Sequence, residues 1–111
     1  MYGLTMSTRE TGDHNVVELR GELDIANASQ VAAELAIVCA RAHGVVVVDL
    51  SGLGFVDSSG LEALVRAQRQ ARIAGSEVRL AGLRPQALRV LQLSGWSREL
   101  AVHAQATKAG P

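Results

Sequence analysis

The run VVVVDL, from Val45 to Leu50, constrains this chain more than any other stretch. Five apolar residues, mostly β-branched, are interrupted only by Asp49. A segment apolar on both sides of the chain reads as a strand covered on both faces, which is the habit of parallel strands in α/β proteins. The run leads into a Gly/Ser stretch, Ser51 to Ser58, and then into a helix-start signal at Ser59-Gly60-Leu61-Glu62. At that junction stand an acid and two hydroxyls, Asp57, Ser58 and Ser59. A hydroxyl just before a helix can cap it, bind an anion or accept a phosphoryl group.

The remaining elements follow from periodicity. Leu4 to Thr11 reads as a strand, Gly12-Asp13 as a turn, and His14 to Leu23 as its hairpin partner, with Val17, Leu19 and Gly21 on one side. Asn27 and Gln30 fit a helix N-terminus. Ala28, Val31, Ala32, Leu35, Val38, Cys39 and Ala42 then recur at helical spacing, and Gly44 stops the helix. A second helix is predicted from about Ser59 to Ala74, a short strand over Glu77–Ala81, and a third helix from Pro85 to Gly95. Leu100 to His103 reads as a last strand, and 104–111, with nothing to bury, as a mobile tail. The order predicts an α/β fold. It is a small mixed sheet of four to five strands, opened by a β-hairpin, with three to four helices packed on it. In such sheets functional loops gather at the carboxyl ends of strands, which selects Gly21–Asn27 and Ser51–Ser58.

Bulk properties narrow the function. The 111 residues suffice for one domain, 1–111, with its core over about 4–102. Formal net charge is +0, with no basic face, which argues against a nucleic-acid partner. No run is long enough to cross a bilayer, and the N-terminus lacks the basic start and apolar stretch of a secretory signal. The lone cysteine, Cys39, excludes an internal disulfide and reads as a small buried hydrophobe on a helix. These features predict a cytoplasmic protein that is a monomer and meets no membrane.

Catalytic and cofactor patterns are weak. A nucleophilic serine needs a base and an oxyanion hole, and the Gly-x-Ser-x-Gly elbow is absent. His14, His43 and His103 suggest no pairing with serine and no metal-ligand spacing. Ser51-Gly52-Leu53-Gly54 lacks both the Lys of a phosphate loop and the third glycine of a dinucleotide fingerprint. The expectation is a protein that is not an enzyme, with no catalytic residue, no metal and no cofactor. At the junction itself two readings stay open. Ser59 with Glu62 matches a capping box, which would leave Ser58 outside the helix. Alternatively Asp57 is the cap.

Gly21-Glu22-Leu23-Asp24 before the first helix, Asp49-Leu50-Ser51 with Phe55-Val56-Asp57-Ser58-Ser59-Gly60-Leu61, and Leu93-Ser94-Gly95 after the third helix carry a resemblance. Together they resemble a STAS domain of the anti-sigma factor antagonist family, over roughly Leu4 to Val102. The resemblance implies a protein that binds an anti-sigma factor serine kinase and so releases a sigma factor. Phosphorylation of one serine would end the binding, and a serine phosphatase would restore it. The family's acceptor directly follows the Asp, which carries over to Ser58. Asp24, Asp57, Ser58, Ser59 and Gly60 would form the partner-binding surface. Two residues depart from the family pattern: Glu62 stands where a small residue is usual, and Trp96 where an aliphatic one is. The alternative implied by the same resemblance is a non-catalytic STAS subunit of a lipid-transport or stress-sensing complex.

Overall fold

The computed structural model describes residues 3–42 and 44–103. The expectations for 104–111 and for His43 therefore lie outside the described residues. Strands β1 (Leu4–Thr11) and β2 (His14–Leu23) form the opening hairpin. Then come helix α1 (Ala28–Ala42), β3 (Val45–Val56), α2 (Ser58–Ile73), β4 (Glu77–Ala81), α3 (Pro85–Ser94), a 3₁₀ turn (Trp96–Arg98) and β5 (Ala101–His103). The five strands lie in sequence order, β1-β2-β3-β4-β5. Only the β1–β2 pair is antiparallel; the other three pairs are parallel.

The helices pack on one face of this sheet. Val17 and Leu19 of β2, Val46, Val48 and Leu50 of β3, and Val78 and Leu80 of β4 meet Val31 and Leu35 of α1, Leu61 and Leu64 of α2, and Leu91 of α3 in one aliphatic cluster. The opposite face carries a smaller cluster, Val16, Val47 and Ala81, with Val45 against it. Both sides of Val45–Val48 are thus packed, as the run of valines predicts.

Two elements differ from the sequence reading. The stretch from Ser51 to Val56 is a continuation of β3, not a loop. It keeps pairing with β2, through Arg20↔Gly52, Gly21↔Leu53, Glu22↔Phe55 and Leu23↔Val56, with two register shifts on the way. At each shift β3 has one extra residue, so the strand is bulged and its alternation breaks. Gly52 permits the close approach, since a Cβ there would lie 2.8 Å from Arg20 Cγ and 3.1 Å from the Leu19 carbonyl. The 3₁₀ turn after α3 is the second difference. Gly95 ends α3 in the left-handed region (φ 83°), as a C-terminal glycine should, but the chain turns once more before β5.

Buried polar groups tie the far end of α2 to the rest. The Gln68 side chain is buried; its Oε1 accepts the Val78 amide at 2.6 Å and its Nε2 donates to the Glu99 carbonyl at 3.3 Å. On the adjoining surface Arg69 makes a two-pronged pair with Glu99, both contacts at 2.8 Å, which holds the Glu99 carboxyl below the usual carboxylate range. No helix among the described residues is long and apolar enough to cross a membrane.

Candidate functional site

β2 and β3 run parallel and end side by side at Leu23 and Val56. The Asp57 amide donates to the Leu23 carbonyl at 3.2 Å and extends the pairing one residue past the strands. This places the turn after β2, Asp24 to Asn27, next to the start of α2. The two segments selected from sequence as carboxyl-end loops therefore do meet.

The turn is held by its own side chains. Asp24 Oδ1 accepts the Ala26 amide at 2.9 Å, and the Asp24 carbonyl accepts the Ala28 amide at 2.8 Å. Buried Asn27 stands directly before α1. Its Oδ1 accepts the Asp24 amide at 3.0 Å and its Nδ2 donates to the Glu22 carbonyl at 2.9 Å. Asn27 thus locks the turn that presents Asp24. Ile25, between them, is 80% exposed.

At the second segment Asp57, not Ser59, is the N-cap of α2. Its backbone is extended and its Oδ1 accepts the Gly60 amide at 2.9 Å, while its carbonyl accepts the Leu61 amide at 3.0 Å. Of the two sequence readings the capping box is therefore the one not realised. Glu62 instead points along the helix and pairs with Arg66, one turn on, at 3.6 Å. An aspartate at the residue before Ser58 offers a carboxylate in reach of the third helical amide, and that pre-empts the hydroxyl two positions later.

Ser58 is consequently the first residue of α2 rather than the residue before its cap, and it is exposed. Asp57 is half-buried and Ser59 is half-buried. Gly60 is buried on the inner side of the helix: a Cβ there would lie 2.7 Å from Leu23 Cγ, 2.9 Å from the Leu23 carbonyl and 2.9 Å from Val56 Cγ2. It shapes the surface by letting α2 sit close on β2. Two of the helix's four leading amides are used, Asp57 by Leu23 and Gly60 by Asp57. Those of Ser58 and Ser59 remain at the positive end of the helix, directed towards whatever approaches Ser58.

His14 opens β2 at the end of the sheet opposite Ser58. Nine residue-to-residue steps along β2 separate it from Leu23, about 30 Å at the usual rise per residue. His103 pairs with Ala81 at the end of β4. No cluster of His, Cys, Asp and Glu among the described residues has the makings of a metal site. Cys39 is buried on α1, and burial pushes its thiol up to about 11 from 9.0, so it is protonated and inert at neutral pH.

A small mixed sheet with its helices on one face, and an exposed serine opening the helix after the third strand, define a STAS-type module. The sequence agrees: residues 6–102 match the family described as "Mlab, STAS domain", and the chain belongs to the STAS domain family. Over 78 residues it is 35% identical to BtrV of Bordetella bronchiseptica, which its name assigns to the anti-sigma factor antagonists; the match covers 70% of this chain and 67% of BtrV. Among solved structures, an anti-sigma factor antagonist from Mycobacterium paratuberculosis superposes with a TM-score of 0.82 at 21% identity, over 96% of this chain and 90% of that one. The antagonist SpoIIAA in its unphosphorylated form gives 0.74 at 22% identity, over 94% and 92%. Bacillus SpoIIAA in its phosphorylated form gives 0.67 at 23% identity, over 94% and 96%. At these identities the structural likenesses establish the fold.

Proposed function

We propose that this chain is an anti-sigma factor antagonist of the partner-switching kind. It binds an anti-sigma factor serine kinase in the cytoplasm and so frees a sigma factor, and it performs no chemistry of its own. Phosphorylation of Ser58 ends the binding, and a serine phosphatase restores it. The observation that carries this reading is the exposed Ser58 hydroxyl at the first position of α2, beside a rigid turn that presents Asp24.

The physical logic is local. A phosphate on Ser58 carries about −1.5 to −2 charges at neutral pH. The helix end and the Ser58 and Ser59 amides accommodate that charge, so the domain stays folded. A partner packed against the same patch meets new bulk and a charge beside two acids, Asp24 and Asp57. In an interface, like charges brought together cost several kcal/mol. The switch therefore acts on docking and leaves the fold alone. Asp57 orients the helix through its cap, Gly60 sets how closely α2 sits on β2, Ser59 adds a half-buried hydroxyl beside the acceptor, and Asp24 supplies an acidic contact.

The test is intact mass after incubation with ATP and candidate kinases from the same genome. The expected result is a gain of one phosphoryl group, mapped to Ser58 by fragmentation and absent from Ser58→Ala. Modification at Ser59 instead would move the acceptor. Recovery of transporter ATPase components, with no kinase and no modification, would favour the non-catalytic subunit reading.

A further inference from the structure

β3 is longer than its neighbour on one side. β2 pairs with it as far as Val56, whereas β4 pairs only from Val45 to Asp49. The edge of β3 from Leu50 to Val56 thus has no strand beside it. Instead α3 faces it across a groove of about 140 Å³, lined by Leu53, Phe55, Leu83, Arg84, Ala87 and Val90 among others. That volume is well below the roughly 300–1,000 Å³ of small-molecule pockets and suits one or two anchoring side chains.

The rim of the groove is chemically one-sided. Phe55 is 51% and Val90 40% exposed, although both are large and apolar. Arg84, in the lining of the groove, is exposed and has no ion-pair partner among the described residues. Arg84 caps α3 without a side-chain hydrogen bond, and the first turn of α3 contains no acid. An apolar slot edged by the unpaired guanidinium of Arg84 and an uncompensated helix N-terminus favours a carboxylate-bearing occupant. The slot is also continuous with the proposed switch, since Phe55 lies on its wall and Ser58 stands three residues further on.

We infer that this groove is a second anchoring site for the anti-sigma partner, filled by a segment in which a large apolar side chain is flanked by carboxylates. The inference rests on the partner-switching reading and adds to it the chemistry of the segment. The apolar residue packs between Phe55 and Val90, and a flanking acid meets Arg84. The short bulged edge of β3 limits backbone pairing, so recognition rests on side chains.

Two measurements test it separately from the switch. In the first, the ¹⁵N-labelled chain is titrated with the capped peptide Asp-Glu-Leu-Phe-Asp-Glu and with its Lys-Lys-Leu-Phe-Lys-Lys counterpart. The acidic peptide is expected to shift the amides of Gly54, Phe55, Ala87 and Val90, and to bind about tenfold more tightly than the basic one. Val90→Asp and Arg84→Glu, both at exposed positions, should remove the response. Shifts elsewhere, or equal response to both peptides, would overturn the inference. In the second, the kinase that modifies Ser58 is titrated with the same two variants. About tenfold weaker binding supports the groove. Unchanged affinity with Ser58 still phosphorylated overturns the groove and leaves the switch standing. Acidic-peptide binding in the groove with no kinase acting on Ser58 supports the groove's chemistry and counts against the switch. Self-association abolished by Val90→Asp would assign the groove to a second copy and overturn the inference.

Discussion

The Asp57 carboxylate holds the Gly60 amide at 2.9 Å, and that one bond fixes where α2 begins. It makes Ser58 the first helical residue and turns its side chain to solvent, while Ser59 is left without a capping task. A Glu-based capping box would have started the helix later.

Removing the cap should therefore cost stability at Asp57 and not at Ser59. Asp57→Ala is expected to lose about 1 kcal/mol, lowering Tm by about 4–8 °C in a domain of this size. Ser59→Ala should stay within about 0.5 kcal/mol, as a substitution away from any cap or core contact does. Thermal melts followed by circular dichroism at 222 nm separate the two. A larger loss at Ser59 would restore the capping box.

Gly60 has no room for a side chain. Its Cβ would meet Leu23 and Val56 at 2.7–2.9 Å, and the Leu23 carbonyl is backbone that cannot swing away. Gly60→Ala should cost about 1–3 kcal/mol by overpacking. It should also push α2 off β2, weakening partner binding more than Ser59→Ala does. Urea titration and partner affinity check the two effects together.

Gln68 serves β4 as an acceptor. Gln68→Leu keeps the volume but leaves the buried Val78 amide unpaired, at a cost of about 1–3 kcal/mol. Hydrogen exchange at Val78 should accelerate in that variant ahead of exchange at the centre of β3. Unaltered protection would mean that water replaces the amide group.

Cys39 gives the stability a pH dependence on the alkaline side. In the unfolded chain the thiol ionises near 9.0, whereas burial delays this to about 11 in the fold. The folded state then holds the proton that the unfolded state has lost. The contribution is fully present below pH 9 and is lost as pH rises towards 11. Urea midpoints should fall over that window in the parent chain and less in Cys39→Ala. A thiol reagent should label the native protein slowly and the unfolded protein at once.

Much of this was legible in the residues, and the failures have physical causes. The hairpin, α1, β4 and α3 follow from alternation, helical spacing, and Gly and Pro at their ends. The Gly21–Asn27 turn is marked by the strand that ends before it and the Asp57–Ser58 junction by its helix-start signal, whereas Asp24 is singled out only by the family resemblance. The second half of β3 was hidden because its partner is distant in sequence. Gly52, which reads as a loop residue, is what lets a bulged strand approach β2. The cap stays open between Ser59 and Asp57 in the sequence because Ser59-Gly60-Leu61-Glu62 satisfies the capping pattern equally well by spacing. Only the extended backbone at Asp57, set by its bond to Leu23, decides between them. The groove beside α3 had no sequence signal, since it arises from β4 being shorter than β3.

The most direct test compares the affinity of the anti-sigma kinase for the unmodified chain and for the chain phosphorylated at Ser58, by titration calorimetry at constant salt. The account predicts binding at least about 100-fold weaker after phosphorylation, with the melting transition nearly unchanged. Equal affinity of the two forms, or a phosphorylated chain that loses binding because it unfolds, would contradict it.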